Sequence, residues 1–346
     1  MNKHIRIDEF LMLRNTIPIV DVRSPSEYSK AHVPEAYNIP LLNDEERTSV
    51  GTAYKEKGKT EAVKKGLSLV GPKMLEKAEA GEQIAGAGKK LILYCWRGGM
   101  RSDNMAWLFS RVDIECYVLK GGYKTYRHHV KDYMSKPSQL WVLGGMTGSG
   151  KTELLHELSE IGEQIVDLEG IANHKGSAFG TIGEDPQPET EYFENLLFEE
   201  LLKLRLDKPI WLEDESQAIG RVHIPEELFF KMRASDVFKI ELEKHSRIKR
   251  LVNQYTQTDP RELEDAVDRI RKRLGGLNAQ KALEAIKDKD YYTAADIILA
   301  YYDKAYSHGL SKRENKNIHT LELPEDNPQK NAGILKEFAY STIKYR

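Results

Sequence analysis

Leu140-Trp141-Val142-Leu143 runs through Gly144 into Gly145-Met146-Thr147-Gly148-Ser149-Gly150-Lys151-Thr152, and Glu153–Ile161 follows with a helical pattern. An apolar run, a glycine-rich turn and an amphipathic stretch predict strand, loop and helix in that order. The loop fits G-x-x-x-x-G-K-[ST] at every fixed position. Its chemistry follows from the backbone. Glycines let successive N–H groups turn inward around an anion with no Cβ in the way. The start of the helix adds partial positive charge. Lys151 would reach terminal phosphate oxygens, and the Thr152 hydroxyl would hold Mg²⁺. Gly145, Gly148, Ser149, Gly150, Lys151 and Thr152 are therefore the expected phosphate-binding residues. The loop specifies phosphate and not a nucleotide: a diphosphate on a lipid fits the same cradle, and no adenine or guanine signature accompanies it.

Further strands are expected at Gln164–Val166, Pro209–Leu212 and Val237–Ile240, with a helix over Glu191–Leu206. Beyond residue 245 the chain reads as helical to about Tyr306. A carboxylate partner for the metal is expected at a neighbouring strand end. Glu213-Asp214-Glu215 after Ile210-Trp211-Leu212 is the first candidate cluster, and Asp167 with Glu169 the second. Asp214, Glu213 and Asp167 are the leading metal or acid partners.

Upstream, Lys131–Gln139 is polar, contains Pro137 and reads as a linker, so domains are expected at 1–136 and 137–346. Strand patterns at Ile17–Val22, Leu91–Cys95 and Cys116–Leu119 alternate with helical stretches at Ser26–Ala31 and Ser102–Phe109. That alternation predicts a parallel sheet with helices on its faces. Residues 43–75 are charged, hold several helical turns and have no evident place in the sheet.

Cys95-Trp96-Arg97-Gly98-Gly99-Met100-Arg101-Ser102 is the second chemical signal. A cysteine ends a buried strand, and a glycine-containing loop leads to a helix start. Loop N–H groups and the helix N-terminus would stabilise a thiolate. Arg97 and Arg101 add charge and forked donors for an oxyanion. Such a thiolate can accept a chalcogen atom or attack a phosphorus centre. Cys116, in an apolar strand with no such loop, reads as a structural thiol.

Composition excludes several classes. With 346 residues, 40% hydrophobic and 31% charged, the chain suits a soluble fold of two to three domains. No apolar run approaches a membrane span, the N-terminus lacks a secretory pattern, and two cysteines make no disulfide framework. A cytoplasmic protein is expected. Residues 1–136 hold 23 Lys and Arg against 17 Asp and Glu, a net of +6, whereas the remainder is net −8. Residues 231–275 nevertheless hold 12 basic and 8 acidic side chains.

Asp21-Val22-Arg23-Ser24-Pro25-Ser26-Glu27-Tyr28, then Ala31-His32-Val33-Pro34-Glu35-Ala36 and Asn38-Ile39-Pro40, resemble the rhodanese-like domain. Its pattern is D-V-R-x-x-x-E-[YF], G-H-[IV]-x-G-A and N-I-P. The Cys95 loop and Gly121-Gly122-Tyr123 complete the likeness. Ala31 and Glu35 stand where the pattern has glycine, so the turns there are expected to be built differently. Sulfurtransferases of this fold usually have six residues in the active loop. Cys95 through Arg101 makes seven, the spacing of the phosphatases that share the fold, and predicts a cradle large enough for a phosphate-bearing donor.

The fusion of such a domain to the loop at 145–152 resembles the tRNA 2-selenouridine synthase family. The likeness runs over essentially the whole chain, including Gly51-Thr52-Ala53-Tyr54-Lys55 and Arg269–Gly276. It implies an N-terminal rhodanese-like parallel sheet and a C-terminal P-loop, nucleoside-kinase-like α/β domain with a helical extension. It also implies that wobble 2-thiouridine in tRNA is S-geranylated with geranyl diphosphate, after which selenium from selenophosphate replaces the geranylthio group. Cys95 is then the residue that carries selenium, as a selanyl-sulfide, with Arg97 or Arg101 neutralising the departing phosphate. The 145–152 loop would take the diphosphate, with ATP and a tRNA phosphate as competing occupants. Mg²⁺ would sit between Thr152 and an acid near Asp214. The partners implied are the tRNA and the selenophosphate-producing enzyme. RNA needs basic side chains and stacking groups. Lys244, Arg247, Lys249, Arg250, Arg269, Arg271, Lys272 and Arg273 are the candidates, with Tyr255, Tyr291 and Tyr292 to stack. The alternative is an ATP-dependent tRNA sulfurtransferase. Further rivals are a nucleotide-regulated module with an unreactive Cys95, and a phosphatase, for which no general acid is visible after the loop.

Overall fold

In the computed structural model, which describes residues 3–313 and 317–344, the apolar runs pair into two parallel sheets. The chain divides into two units. The first extends to Tyr133 and takes in Glu194–Leu196; the second holds the rest from Met134.

The first unit runs β1 (Lys3–Ile5), α1 (Ile7–Leu13), β2 (Ile19–Asp21), α2 (Pro25–Lys30), β3 (Tyr37–Asn38), α3 (Asp44–Val70), α4 (Met74–Ala85), β4 (Lys90–Tyr94), α5 (Met100–Ser110), β5 (Glu115–Leu119) and α6 (Gly122–Tyr133). The strand order is β1-β5-β4-β2-β3, every pairing parallel. Leu91, Ile92, Leu93 and Tyr94 of β4 are all buried, as a central strand covered on both faces requires. Ala78 and Ala85 of α4 and Met105, Ala106 and Phe109 of α5 share a core with Val20, Leu91 and Leu93. Ser24 and Glu27 close a capping box at the start of α2, and Pro25 takes its first position. The two departures from the rhodanese pattern have local solutions. Ala31 is extended (φ −169°), where any residue fits, whereas Glu35 adopts the left-handed φ of +65° that glycine reaches at no steric cost. The charged stretch 43–75 is mostly α3, entered through an Asn43–Glu46 capping box.

The second unit runs β6 (Leu140–Gly145), α7 (Lys151–Glu160), β7 (Gln164–Val166), α8 (Leu168–Ala172), α9 (Thr190–Leu202), β8 (Ile210–Glu213), β9 (Ala218–Ile219), β10 (Val222–His223), α10 (Glu226–Ala234), β11 (Asp236–Glu241), α11 (Lys244–Tyr255), α12 (Pro260–Leu274), α13 (Gly276–Lys287), α14 (Tyr291–Leu310), β12 (Ile318–Glu322) and α15 (Pro328–Lys344). Its sheet order is β12-β11-β6-β8-β7, again all parallel. β6 is therefore central, and its C-terminal end delivers the phosphate loop between the ends of β8 and β11. Trp141 packs edge-on to Trp211 and Phe238, with ring centroids 5.1 and 5.4 Å away. Leu154, Leu155 and Leu158 of α7 and Ala332, Leu335 and Ala339 of α15 complete that core. α11 to α14 build a separate one around Leu251, Leu263, Val267, Ile270, Ile298 and Leu299.

Three features differ from the sequence expectation. The helical stretch after 245 is four helices ending at Leu310, and β12 and α15 beyond it were not expected. The linker stretch is helical as far as Tyr133, because α6 continues into it; beyond that, Lys231 Nζ donates to the carbonyls of Ser135 and Pro137. A short antiparallel pair, β9 with β10, joins the unit. Among the described residues no helix is long and apolar enough to cross a membrane.

Candidate active site

Cys95 follows β4 directly and is 3% exposed. The Gly99 N–H donates to its Sγ at 3.3 Å, and Ser102 Oγ lies 3.4 Å from the sulfur. The Ser102 hydroxyl also donates to the Gly99 carbonyl at 2.9 Å, which holds it in place. Burial alone would push the thiol up. The Ser102 hydroxyl, the Gly99 and Ser102 amides and the Arg101 charge together outweigh burial and hold Cys95 below the usual thiol range. Ser102→Ala should therefore raise the thiol pKa and slow Cys95 alkylation at neutral pH several-fold, which a pH profile of iodoacetamide labelling reads. Among the described residues, the amides of Trp96, Arg97 and Gly98 make no hydrogen bond, so the loop keeps donors for an anion. Gly98 has φ +59°, and a Cβ there would stand 2.4 Å from the Leu119 carbonyl. The loop can lie this close to the end of β5 only with glycine.

Beneath the loop, Asp21 and Arg23 form a buried pair. Arg23 donates to both carboxylate oxygens, to within 2.6 Å, and to the Ala31 carbonyl at 2.7 Å. Its guanidinium sits 3.9 Å from the centroid of the Tyr123 ring. The D-V-R motif is thus buried and holds the strand ends in place. Arg101, expected as a free donor beside the sulfur, is committed to Glu27 at 2.7 Å, and Glu27 also takes Arg47 at 3.0 Å. It acts on Cys95 through its charge. Arg97 is exposed on the loop.

In the second unit, the Gly145 N–H donates to the Tyr306 hydroxyl at 2.9 Å, and Lys151 Nζ donates to the Gly145 carbonyl at 3.0 Å. The amides of Thr147, Gly148 and Gly150 donate to no partner among the described residues. Ser149 Oγ is buried without a partner. This is an anion cradle with its donors unspent.

The acids around it are arranged differently from expectation. Thr152 Oγ1 donates to Glu169 Oε2 at 2.9 Å, so the acid beside the Thr152 hydroxyl comes from α8 and not from the end of β8. Asp214 is held by Arg313 at 2.5 Å and accepts from Tyr306 at 3.4 Å. Glu213 is wholly buried and accepts the Leu168 amide at 3.0 Å. Burial first, then the charges of Asp167 and Glu169, push its carboxyl well above the usual range. Asp167 caps α8 through the Gly170 amide at 2.6 Å and pairs with His156 at 2.9 Å. Glu215, singled out only as part of its cluster, converges with Glu169: a Cβ on Gly176 would lie 2.6 Å from one carboxylate and 2.9 Å from the other. Burial, then the Glu169 charge, pushes Glu215 up. Among the described residues no three His, Cys, Asp or Glu side chains form a ready metal cage. Thr152, Glu169 and Glu215 offer hard oxygen donors of the kind Mg²⁺ takes alongside ligand phosphates.

The cradle opens into a cleft of about 1350 Å³, part of whose wall is apolar and aromatic, from Phe179, Leu251, Tyr255, Ile298, Tyr301 and Tyr302, among polar side chains such as Lys175, Glu184, Gln217 and Arg233. No sequence motif pointed to this wall, because its residues come from three separated segments.

The candidates for RNA contact divide into buried residues that brace the fold and exposed ones, some of them in surface ion pairs. Arg247 is 4% exposed, bonds Asp303 at 2.7 Å and braces the phosphate loop through the Thr147 carbonyl at 3.1 Å. Arg250 pairs with Asp326 at 2.6 Å and Glu153 at 3.0 Å. Tyr255 is buried and stacked on Phe179, and Tyr291 is half-buried against the α11–α14 core. Arg269 donates to the Ala178 carbonyl, Arg271 pairs with Asp268 and Lys244 with Asp296. Lys249, Lys272, Arg273 and Tyr292 are exposed.

Residues 7–129 match the family model of the rhodanese-like domain, and residues 138–325 that of the tRNA 2-selenouridine synthase AAA domain. The chain is 35% identical over 341 residues to the tRNA 2-selenouridine synthase of Hydrogenovibrio crunogenus, covering 89% of this chain and 93% of that one. To the same enzyme of Marinobacter nauticus it is 36% identical over 345 residues, again covering 89% and 93%. The crystallised N-terminal domain of a Clostridium difficile 630 protein is 38% identical and covers 37% of this chain and 98% of its own, with a TM-score of 0.35.

Proposed function

The chain belongs to the tRNA 2-selenouridine synthase family, and from that premise we propose that it converts wobble 2-thiouridine of tRNA to 2-selenouridine in two steps divided between its two anion cradles. In the first, the 2-thio sulfur attacks C1 of geranyl diphosphate. The C–S bond forms, the C–O bond breaks, diphosphate leaves and the base gives up its N3 proton. In the second, selenium originating in selenophosphate replaces the geranylthio group at C2.

The observation that carries the first step is one cleft whose lining includes both the phosphate loop and the apolar and aromatic side chains from Phe179 to Tyr302. A prenyl diphosphate has that polarity, charged at one end and apolar along the rest. Loop amides and Lys151 hold the diphosphate, and the Phe179–Tyr302 wall covers the ten-carbon chain. Where Mg²⁺ is bound, Thr152 with Glu169 would hold it, and it would supply charge neutralisation for the leaving diphosphate. The second step falls to Cys95 in its own cradle, with selenophosphate as donor and the selenophosphate-producing enzyme as supplier. A tRNA substrate makes the cytoplasm the working compartment.

Titration calorimetry with geranyl diphosphate, inorganic diphosphate and ATP tests the ligand assignment. Burying about half of a ten-carbon chain at ~0.8 kcal/mol per methylene makes geranyl diphosphate roughly 10³-fold tighter than inorganic diphosphate. Equal affinity for the two diphosphates removes the apolar wall from the account. Tight ATP binding with hydrolysis, and no geranyl diphosphate binding, moves the reading to the ATP-dependent tRNA sulfurtransferase.

A further inference from the structure

We propose that the Cys95 thiolate attacks the phosphorus of selenophosphate and not its selenium, so that the loop carries a transient S-phosphocysteine and releases selenide to the tRNA. The inference rests on the reading that selenophosphate is the donor.

Electron count decides between the two routes. If the thiolate took selenium directly, the P–Se bond electrons would leave with phosphorus as phosphite, or an oxidant would be required. The resulting S–Se bond would then need a second thiol to break it after transfer. This chain has one other cysteine, Cys116. It is buried on β5 in register with Leu91, four residues before Cys95 and so roughly 13 Å along the sheet at ~3.3 Å per residue. Burial, with the Glu115 charge adding to it, pushes that thiol up to about 12. It cannot serve as a resolving thiolate at neutral pH.

Attack at phosphorus balances without any redox partner. The S–P bond forms and the P–Se bond breaks, with selenide leaving carrying the bonding pair. Selenide adds to C2 of the S-geranylated base, and geranyl thiolate departs with the C–S pair and takes a proton. Water then attacks the S-phosphocysteine, giving phosphate and the free thiolate.

The loop fits the phosphoryl group. It spans seven residues from Cys95 through Arg101, its Trp96, Arg97 and Gly98 amides have no hydrogen-bond partner among the described residues, and it leads into the N-terminus of α5. These donors match phosphoryl oxygens, for which a bare selenium atom has no use. Ser102 Oγ, 3.4 Å from the sulfur, is placed to stabilise the thiolate as it leaves phosphorus during hydrolysis.

The test uses the full chain, S-geranylated tRNA and selenophosphate labelled in separate runs on phosphorus and on selenium, with rapid acid quench and no added thiol or other reductant. The expected result is phosphorus label on wild-type protein and none on Cys95→Ala, no selenium label on the protein, and continued turnover without reductant. Selenium label on Cys95, or a halt after one turnover that dithiothreitol relieves, overturns the proposal. Either result, obtained while 2-selenouridine forms, leaves the family-based reading standing. Absence of 2-selenouridine from wild type under all conditions removes that reading and this proposal together.

Discussion

Cys95→Ala is expected to stop selenium incorporation, by roughly 10³-fold or more, while the S-geranylated tRNA still forms and accumulates. The size of the effect follows from the lack of any substitute. The Gly99 amide and Ser102 hold the Cys95 thiol below its usual range, whereas Cys116 is pushed up to about 12 by burial and lies in a strand with no anion cradle. Cys116→Ala should accordingly leave both steps near wild type. The substitution at Cys95 removes a side chain that makes no ion pair in the structure, so the loop and the Asp21–Arg23 pair beneath it should persist. Nucleoside composition of the product tRNA, measured with matching circular dichroism spectra, checks the expectation.

Lys151→Ala is expected to have the complementary effect, a loss of about 10²–10³-fold in geranylation with no loss in selenation of tRNA supplied already geranylated. Lys151 brings its ammonium against the diphosphate, and charge developing on that leaving group is what the transition state must stabilise. The fold around it does not depend on Lys151, whose ammonium, among the described residues, bonds the Gly145 carbonyl alone. The loop is braced separately by Tyr306 on Gly145 and by Arg247 on Thr147. Single-turnover rates on the two tRNA substrates separate this result from a general loss of folding.

The two cradles were legible in the sequence because each is local: strand, glycine loop and helix start are contiguous, so spacing alone encodes the geometry. The rhodanese-like turns were legible for the same reason, except at Glu35, where a differently built turn was expected and the residue instead keeps the left-handed backbone of the glycine it replaces. The acid at Thr152, Glu169, was legible only as a member of the second of two candidate clusters. Asp167, Glu169, Glu213 and Asp214 all lie at or just after strand ends, and their roles depend on how α8 and Arg313 pack: α8 brings Glu169 to Thr152, while Arg313 takes Asp214. Arg247 and Tyr255 were read as RNA-facing because they lie in a basic stretch. Their spacing with Leu251, at i, i+4 and i+8, puts all three on one helical stripe, and that stripe is buried. The periodicity was the informative signal there, and the local charge was not. β12 escaped notice because Ile318-His319-Thr320-Leu321-Glu322 is an edge strand with two apolar residues three apart, and with neither an alternating pattern nor a buried run to announce it.

The most direct test of the division of labour is mass spectrometry of nucleosides from 2-thiouridine tRNA incubated with geranyl diphosphate, selenophosphate and wild type, Cys95→Ala or Lys151→Ala. Wild type should yield 2-selenouridine by way of S-geranyl-2-thiouridine, Cys95→Ala should stop at the geranylated nucleoside, and Lys151→Ala should leave 2-thiouridine unchanged. Full selenation by Cys95→Ala, or normal geranylation by Lys151→Ala, would contradict the account.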